Sequence, residues 1–308
     1  MADTKLGLNI TWQVILLIVL LLLLAQCTRT RMIPSGYVII AARDFAIDKY
    51  THDHPEKITI YQLDEAGAYT ITSVAYYPEK KLIAIAERTK EPQKGTSVIK
   101  ILDEKTSLVV KEFITKKDRI NSMAIDREGR IAFDTGDMYL DLPGELCYLS
   151  MNEGVVHTIA KGAHFFSPAW SEDSKRIYFG FSPNSKQSSS DRIGYVDLAK
   201  PYDIKQIAEG RSVSVSENGG IAYLSNDGNI TLMQKTDDPS KSSKQLLRHR
   251  DPRFTYNIRF VKGTEDIVIE HAKKVIIFDL IVLPTPYKEE KVMLSNIGMQ
   301  DFDVAYVK

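Results

Sequence analysis

The side chains able to do chemistry are few and scattered. Cys27 and Cys147 are the only two cysteines, which excludes a cysteine-rich zinc site. Cys147 sits in ELCYLSM at an inward position of an alternating run, and a buried, inert thiol is expected there. The densest cluster of metal-ligand types is His52-Asp53-His54 in THDHPEK. Two histidines at i and i+2 can share an ion, but no third or fourth ligand stands nearby, so a solvated loop is expected. His157, His164, His249 and His271 fall one to a region, without an H-E-x-x-H spacing. No G-x-S-x-G elbow marks a serine nucleophile. Paired carboxylates for glycoside or lactone chemistry would have to be brought together by the fold. The sequence therefore nominates no catalytic residue, no cofactor site and no metal site.

The elements that would position such groups follow a repeat. A short apolar strand leads into a polar turn, and the strand after the turn recurs as YVIIAAR, LIAIAER, RIAFDTG, RIYFGFS, GIAYLSN and DIVIEHA. Its markers Ile39, Ile83, Ile131, Ile177, Ile221 and Ile267 lie 44, 48, 46, 44 and 46 residues apart. The turns recur as Pro78–Lys81, Asp126–Gly129, Ser171–Ser174 and Ser216–Gly219, rich in the residue types that favour tight connections. A third and a fourth strand follow in each unit, as in VIKILD then LVVKEFI. Near-constant spacing in this range, with about four strands per period, predicts a β-propeller. Six units predict six blades over residues 37–308. The first unit lacks an innermost strand, and the chain finishes with a lone one, DFDVAYV. If that strand completes the first blade, the ring is closed by both ends and no sheet edge is left open at the seam. A β-sandwich, or two smaller β domains, would leave the spacing unexplained.

One unit carries a resemblance. SPAWSEDSKRIYF followed by RIGYVDL resembles the repeat of TolB-type, WD40-like propellers, written S-P-x-W-S-x-D-G-x-x-I-x-F. Ser167, Pro168, Trp170, Ser171, Asp173, Ile177 and Phe179 match, and Ser174 replaces the glycine. The other units keep the spacing and lose the Pro-x-Trp. The resemblance implies a fold and an envelope setting, and it transfers no active site.

Residues 1–27 stand apart from this pattern. Val14–Ala25 is an apolar run of 12 residues, extended to 18 if counted from Leu8 across Asn9, Thr11 and Gln13. The shorter count suits a signal peptide and the longer one approaches a membrane span. Leu24-Ala25-Gln26-Cys27 resembles a bacterial lipobox, except that Gln26 stands where a small residue is preferred. A lipidated Cys27, an uncleaved anchor and a cleaved leader are all compatible with this segment. Arg29 and Arg31 favour a cytoplasmic propeller by the positive-inside rule, whereas the charge-poor start and the TolB-type resemblance favour export. Export to the periplasm is the expectation, with residues 28–36 as a linker.

Forty basic and forty acidic residues give zero net charge, so neither nucleic acid nor anionic lipid is indicated as the main partner. Polar loops at Thr89–Thr96, Ser182–Asp191, Thr236–Lys244 and Ile281–Glu289 decorate the repeat, and recognition residues concentrate on such loops. Arg248-His249-Arg250 with Arg253 forms a local basic spot, expected to be a solvated face. Tyr76, Tyr77, Phe165, Phe166, Trp170 and Tyr256 lie near strand starts. They serve as packing between blades or as a rim to a central channel.

The expected function is that of a membrane-tethered scaffold, held through residues 8–27, that binds another envelope protein or a peptide. The alternatives are a hydrolase or lyase acting on a carbohydrate or lactone in the central funnel, and a small-ligand sensor. Convergent acids in the channel would favour the enzyme, and an aromatic rim the scaffold.

Overall fold

The computed structural model describes residues 14–15, 32–63, 68–89, 96–136, 143–183, 191–234, 244–249, 255–274 and 277–307. The first sheet contains β1 (Tyr37–Arg43), β2 (Ala46–Thr51) and β3 (Ile58–Gln62). The second contains β4 (Tyr69–Tyr77), β5 (Leu82–Thr89), β6 (Ser97–Asp103) and β7 (Val109–Ile114). Then come β8 (Ile120–Ile125), β9 (Arg130–Thr135), β10 (Gly144–Ser150), β11 (Val155–Trp170), β12 (Arg176–Ser182), β13 (Arg192–Asp197) and β14 (Lys205–Glu209), hydrogen-bonded in sequence order as seven strands. The last two four-stranded sheets are β15 (Val213–Val215), β16 (Ile221–Leu224), β17 (Asn229–Met233) and β18 (Lys244–His249), then β19 (Thr255–Phe260), β20 (Ile267–Lys274), β21 (Ile277–Leu283) and β22 (Lys291–Ile297). Finally β23 (Asp301–Tyr306) returns to the first sheet and pairs antiparallel with β1, from Tyr37 opposite Tyr306 to Ala42 opposite Asp301.

The recurring second strand is buried on both faces, which is why it reads as a nearly continuous apolar run. Ile83 and Ile85 point into a core shared with Ile40, Ile47 and Tyr76. Ala84 and Ala86, on the other face of the same strand, meet Met123, Ile131 and Phe133 of the next sheet. Period-two alternation thus assigns each strand to two different cores.

Each of the four recurring turns closes with the same hydrogen bond, from the fourth residue's N–H to the first residue's carbonyl: Lys81 to Pro78, Gly129 to Asp126, Ser174 to Ser171 and Gly219 to Ser216. The fourth residue is left-handed every time, with φ of 52°, 79°, 57° and 83°. Side chains brace the turns. Asp126 Oδ1 accepts from the Arg130 N–H at 2.7 Å, Ser171 Oγ from the Arg176 N–H at 2.9 Å, and Ser216 Oγ from the Gly220 N–H at 3.0 Å. Ser174 therefore occupies a conformation that glycine adopts without a Cβ penalty. Ser174→Gly is expected to stabilise the fold by about 0.5–1 kcal/mol after the entropy glycine adds to the unfolded chain. An unchanged or lower urea midpoint would show that the turn is not strained.

One element differs from expectation. VVHTIAK and the strand at Phe165 read as two strands, the fourth of one unit and the first of the next. They form one strand, β11, whose first half pairs with β10 and whose second half pairs with β12. Gly162 (φ 85°) and Ser167 (φ 51°) bend it between its two sheets. The two pairing regions adjoin, Ala163 pairing with β10 and His164 with β12, so no turn reverses the chain between them.

Candidate functional site

The turn ends of successive sheets converge on a cavity of about 470 Å³. Its walls are the first strands β4, β8, β11, β15 and β19 with their turns, and Asp303 of β23. Tyr76, Tyr77, Pro168, Trp170 and Phe260 supply apolar and aromatic surface, while Glu79, Arg127, Glu172 and Glu217 supply charge. Most of these aromatics are also core residues: Tyr76 is fully buried and Trp170 is 8 % exposed. Trp170 donates its indole N–H to the Ala124 carbonyl at 3.2 Å, and the Arg130 guanidinium lies 4.7 Å from its ring centre. The aromatics are thus both packing and rim.

Several ionisable groups at this end are held by their neighbours. Asp126 is bound by Arg130 at 2.8 Å, and Asp303 by Lys262 at 2.6 Å. Glu217 accepts from the Gly263 N–H at 3.0 Å, and Asn218 donates to Glu265 at 2.7 Å. Arg127 donates to the Glu172 carbonyl and Tyr77 donates to the Arg127 carbonyl. The bonds of Tyr77, Asn218, Glu217 and Lys262 join one sheet to the next, Arg127–Glu172 joins two turns of the seven-stranded sheet, and Asp126–Arg130 braces a single turn.

A second device joins the first strands below the cavity. A first strand's free edge presents unpaired N–H groups, and side chains of the preceding first strand accept from them. Ser122 Oγ accepts from Ser167 N–H at 3.0 Å, Ser212 Oγ from Ile258 N–H at 3.0 Å, and Ser214 Oγ from Phe260 N–H at 2.9 Å. These partners lie one repeat apart, at 45 or 46 residues. On β23 the acceptors are carboxylates. Asp301 Oδ2 takes Ser73 Oγ–H at 2.6 Å and Val74 N–H at 3.3 Å, and Asp303 Oδ2 takes Tyr76 N–H at 2.8 Å. The signal was present in the sequence as polar residues at alternate positions, SVSV and DFDV, within otherwise apolar first strands.

At the end away from the cavity, buried acids gather. Asp134 of β9 is fully buried and accepts from Asn121 Nδ2 at 3.0 Å and from the Ser122 hydroxyl. Glu270 of β20 accepts from Asn257 Nδ2, and the Ser167 hydroxyl donates to Asn257 Oδ1 at 3.4 Å. Arg259 lies 3.4 Å from Asp301. Burial pushes Asp134 and Glu270 up to about 7, against the pull of their hydrogen bonds, and the charge of Asp301 adds to the rise in both. Burial raises Asp301 too, opposed first by Arg259. None of these three acids lines the cavity.

The other nominated residues have local roles. Cys147 is buried, with Thr158 Oγ1 3.5 Å away, and burial pushes its thiol up to about 11. His52 bonds the Ile33 carbonyl through Nδ1 at 2.7 Å, pinning the linker, and the His54 N–H donates to Thr51 Oγ1 at 3.2 Å. His157 stacks on Tyr148 at 4.7 Å. No cluster of three or more potential ligands able to hold a metal ion occurs among the described residues. Phe165 packs edge-on against Phe179, and Phe166 covers Gly180, where a Cβ would lie 2.1 Å from its ring. Cys27, residues 16–27, Arg250, Arg253, the Tyr256 side chain and most of the loops at Thr89–Thr96, Ser182–Asp191 and Thr236–Lys244 lie outside the described residues. Among the described residues no helix is long and apolar enough to cross a membrane.

No protein-family profile matches the sequence. No curated protein matches it either. Solved structures do. TolB from Acinetobacter baumannii aligns with a TM-score of 0.62 at 14 % identity, covering 90 % of this chain and 68 % of that one. The fold is that of a β-propeller. A chain of the nidogen/laminin complex aligns with a TM-score of 0.62 at 8 % identity, over 87 % of this chain and 98 % of its own. A gluconolactonase from Xanthomonas campestris aligns with a TM-score of 0.50 at 14 % identity, over 74 % and 76 %. At these identities the likeness concerns the fold, and the resemblance carried by Ser167–Phe179 agrees with it.

Proposed function

We propose that this chain is a six-bladed propeller, closed by β23 and tethered to a membrane through residues 8–27, that binds an envelope protein or peptide at the cavity end of the ring. The blade count follows from dividing β11 between two blades, which turns the seven-stranded sheet into two of four. The binding reading is carried by the cavity itself. About 470 Å³ of partly aromatic surface falls in the range of roughly 300–1,000 Å³ typical of ligand clefts. Arg127, Glu217 and Asp303 of its lining are engaged in bonds between blades, so this part of it presents a shape to be recognised. The nidogen/laminin structure is, by its name, that of a protein complex, which accords with this use of the fold. The tether rests on the apolar run Val14–Ala25.

The test is crosslinking in cells with the full chain, comparing the wild type with a Glu79→Lys, Glu172→Lys double variant. A crosslinked partner seen with the wild type and lost with the variant, at an unchanged melting midpoint, is the expected outcome. A partner retained by the variant would move the binding surface off the cavity.

The gathering of Asp134, Glu270 and Asp301 favours a second reading, a hydrolase of lactones or carbohydrates, since acids that titrate near neutrality suit general acid–base work. It requires a substrate to reach side chains that are at most 3 % exposed. Asp134→Asn or Glu270→Gln would abolish such an activity while leaving partner crosslinking intact.

A further inference from the structure

Exposed apolar side chains are unevenly distributed between the two ends of the sheets. In an antiparallel four-stranded sheet, the hairpin joining strands three and four lies at the same end as the one joining strands one and two. That end carries the cavity. In the first sheet the corresponding hairpin joins β2 to β3, because β23 is its first strand. Ile58 stands at the β2–β3 hairpin, Leu108 at β6–β7, Val155 at β10–β11, Tyr202 at β13–β14 and Val292 at β21–β22. Each is 41–65 % exposed, and Val109 and Val110 extend the patch beyond Leu108. Only Tyr69 and Ile114 among the described large apolar residues are exposed at the opposite end. An apolar tip on each of the five described hairpins of one face has no use inside the ring.

The N-terminal segment leaves from that same face. Gly36 accepts from the Val307 N–H at the end of β23, and Ile33 is buried between the first and last sheets. Met32, 62 % exposed, is the next residue out. Only residues 28–31 separate it from Cys27, so Ala25, the end of the apolar run, lies no further from Met32 than about 25 Å at full extension.

We propose that the cavity face lies against the lipid bilayer, with the hairpin tips Ile58, Leu108, Val155, Tyr202 and Val292 in contact with the lipid surface. The proposal rests on the tether in the reading above, and it deepens that reading: a partner that reaches the cavity does so from the membrane plane. The tips carry charges of both signs, with Lys57, Lys105, Lys200 and Lys291 beside Asp53, Glu153, Asp203 and Glu289. Attraction to anionic headgroups is therefore not the driving force. Apolar contact is, made sufficient by a tether that keeps the face at high local concentration.

The experiment uses the full chain in neutral phosphatidylcholine vesicles containing spin-labelled lipid. Single cysteines are placed at Leu108, Tyr202 or Val292 on the cavity face and at Tyr69 or Ile114 on the other, and each carries an environment-sensitive fluorophore. The unsubstituted chain, labelled in parallel, supplies the contribution of Cys27. Severalfold stronger lipid quenching at the first three positions than at the last two, unaffected by salt, is the expected result. Equal or reversed quenching in a chain that floats with the vesicles overturns the orientation and leaves the tether standing. A chain that does not float overturns the tether, and the orientation falls with it.

Discussion

A chain ending at Gln300 is expected not to fold. This is the largest effect anticipated, and it follows from what β23 holds together. All six of its residues pair with β1, so its loss turns β1 into an edge of bare N–H and C=O groups. Phe302 and Val304 are fully buried in the core shared with Val261, Val268 and Leu280 of the last sheet, and Ala305 is buried in the core of the first. Asp301 and Asp303 bind Arg259 and Lys262 on one side and the β4 backbone on the other. Lys262 also forms a parallel bridge to Ala305. In the proposed ring these contacts make the closure, together with the bond from the Tyr37 hydroxyl to Asp266 and the packing of Ile39 against the last sheet. A single Phe302→Ala should cost about 3–5 kcal/mol. Removing the Asp303 carboxylate leaves the Tyr76 N–H and the Lys262 ammonium without their acceptor, for roughly 1–3 kcal/mol. Chemical denaturation of the point variants and circular dichroism of the truncated chain measure these effects. A truncated chain that still melts cooperatively at the wild-type midpoint would sink the closure.

The propeller is expected to gain stability as the pH falls from 8 towards 5. Asp134 and Glu270 have native values near 7, against about 4 for carboxylates in the unfolded chain. Between those values the native state holds protons that the unfolded state has lost, so unfolding free energy declines with rising pH. The stabilising contribution is complete below about pH 4 and is lost as the pH rises through about 7. Between pH 8 and pH 6 it amounts to about 1 kcal/mol for each group, or a few degrees in melting midpoint for a chain of this size. Asp134→Asn keeps the shape, and its amide can serve Asn121 and Ser122 as the protonated acid would. It should raise the midpoint at pH 8 and flatten the dependence. A midpoint that rises steadily from pH 5 to pH 8 would mean that these acids are ionised in the native state, stabilised by Arg259 beyond what burial takes away.

The local features of this protein were written in its sequence. The repeat of 44–48 residues, the four turns and the inward place of Cys147 depend on neighbours within a few residues. Alternation, turn chemistry and spacing report such neighbours directly. The lone strand DFDVAYV was legible because the first unit lacked an inner partner, and an unpaired β1 edge needs one. Other features were decided only by tertiary structure. Whether VVHTIAK and the strand at Phe165 are two strands or one depends on which sheets their two ends meet, and either sheet alone is satisfied by half of β11. Asp134, Glu270 and Asp301 come from three sheets and up to 167 positions apart. Each is an ordinary polar residue in its own strand, and only the packing of first strands around a common axis brings them together and strips them of water. The cavity face arises the same way. Ile58, Leu108, Val155, Tyr202 and Val292 are unremarkable hairpin residues one by one, and they become a surface because every sheet is set in the same orientation.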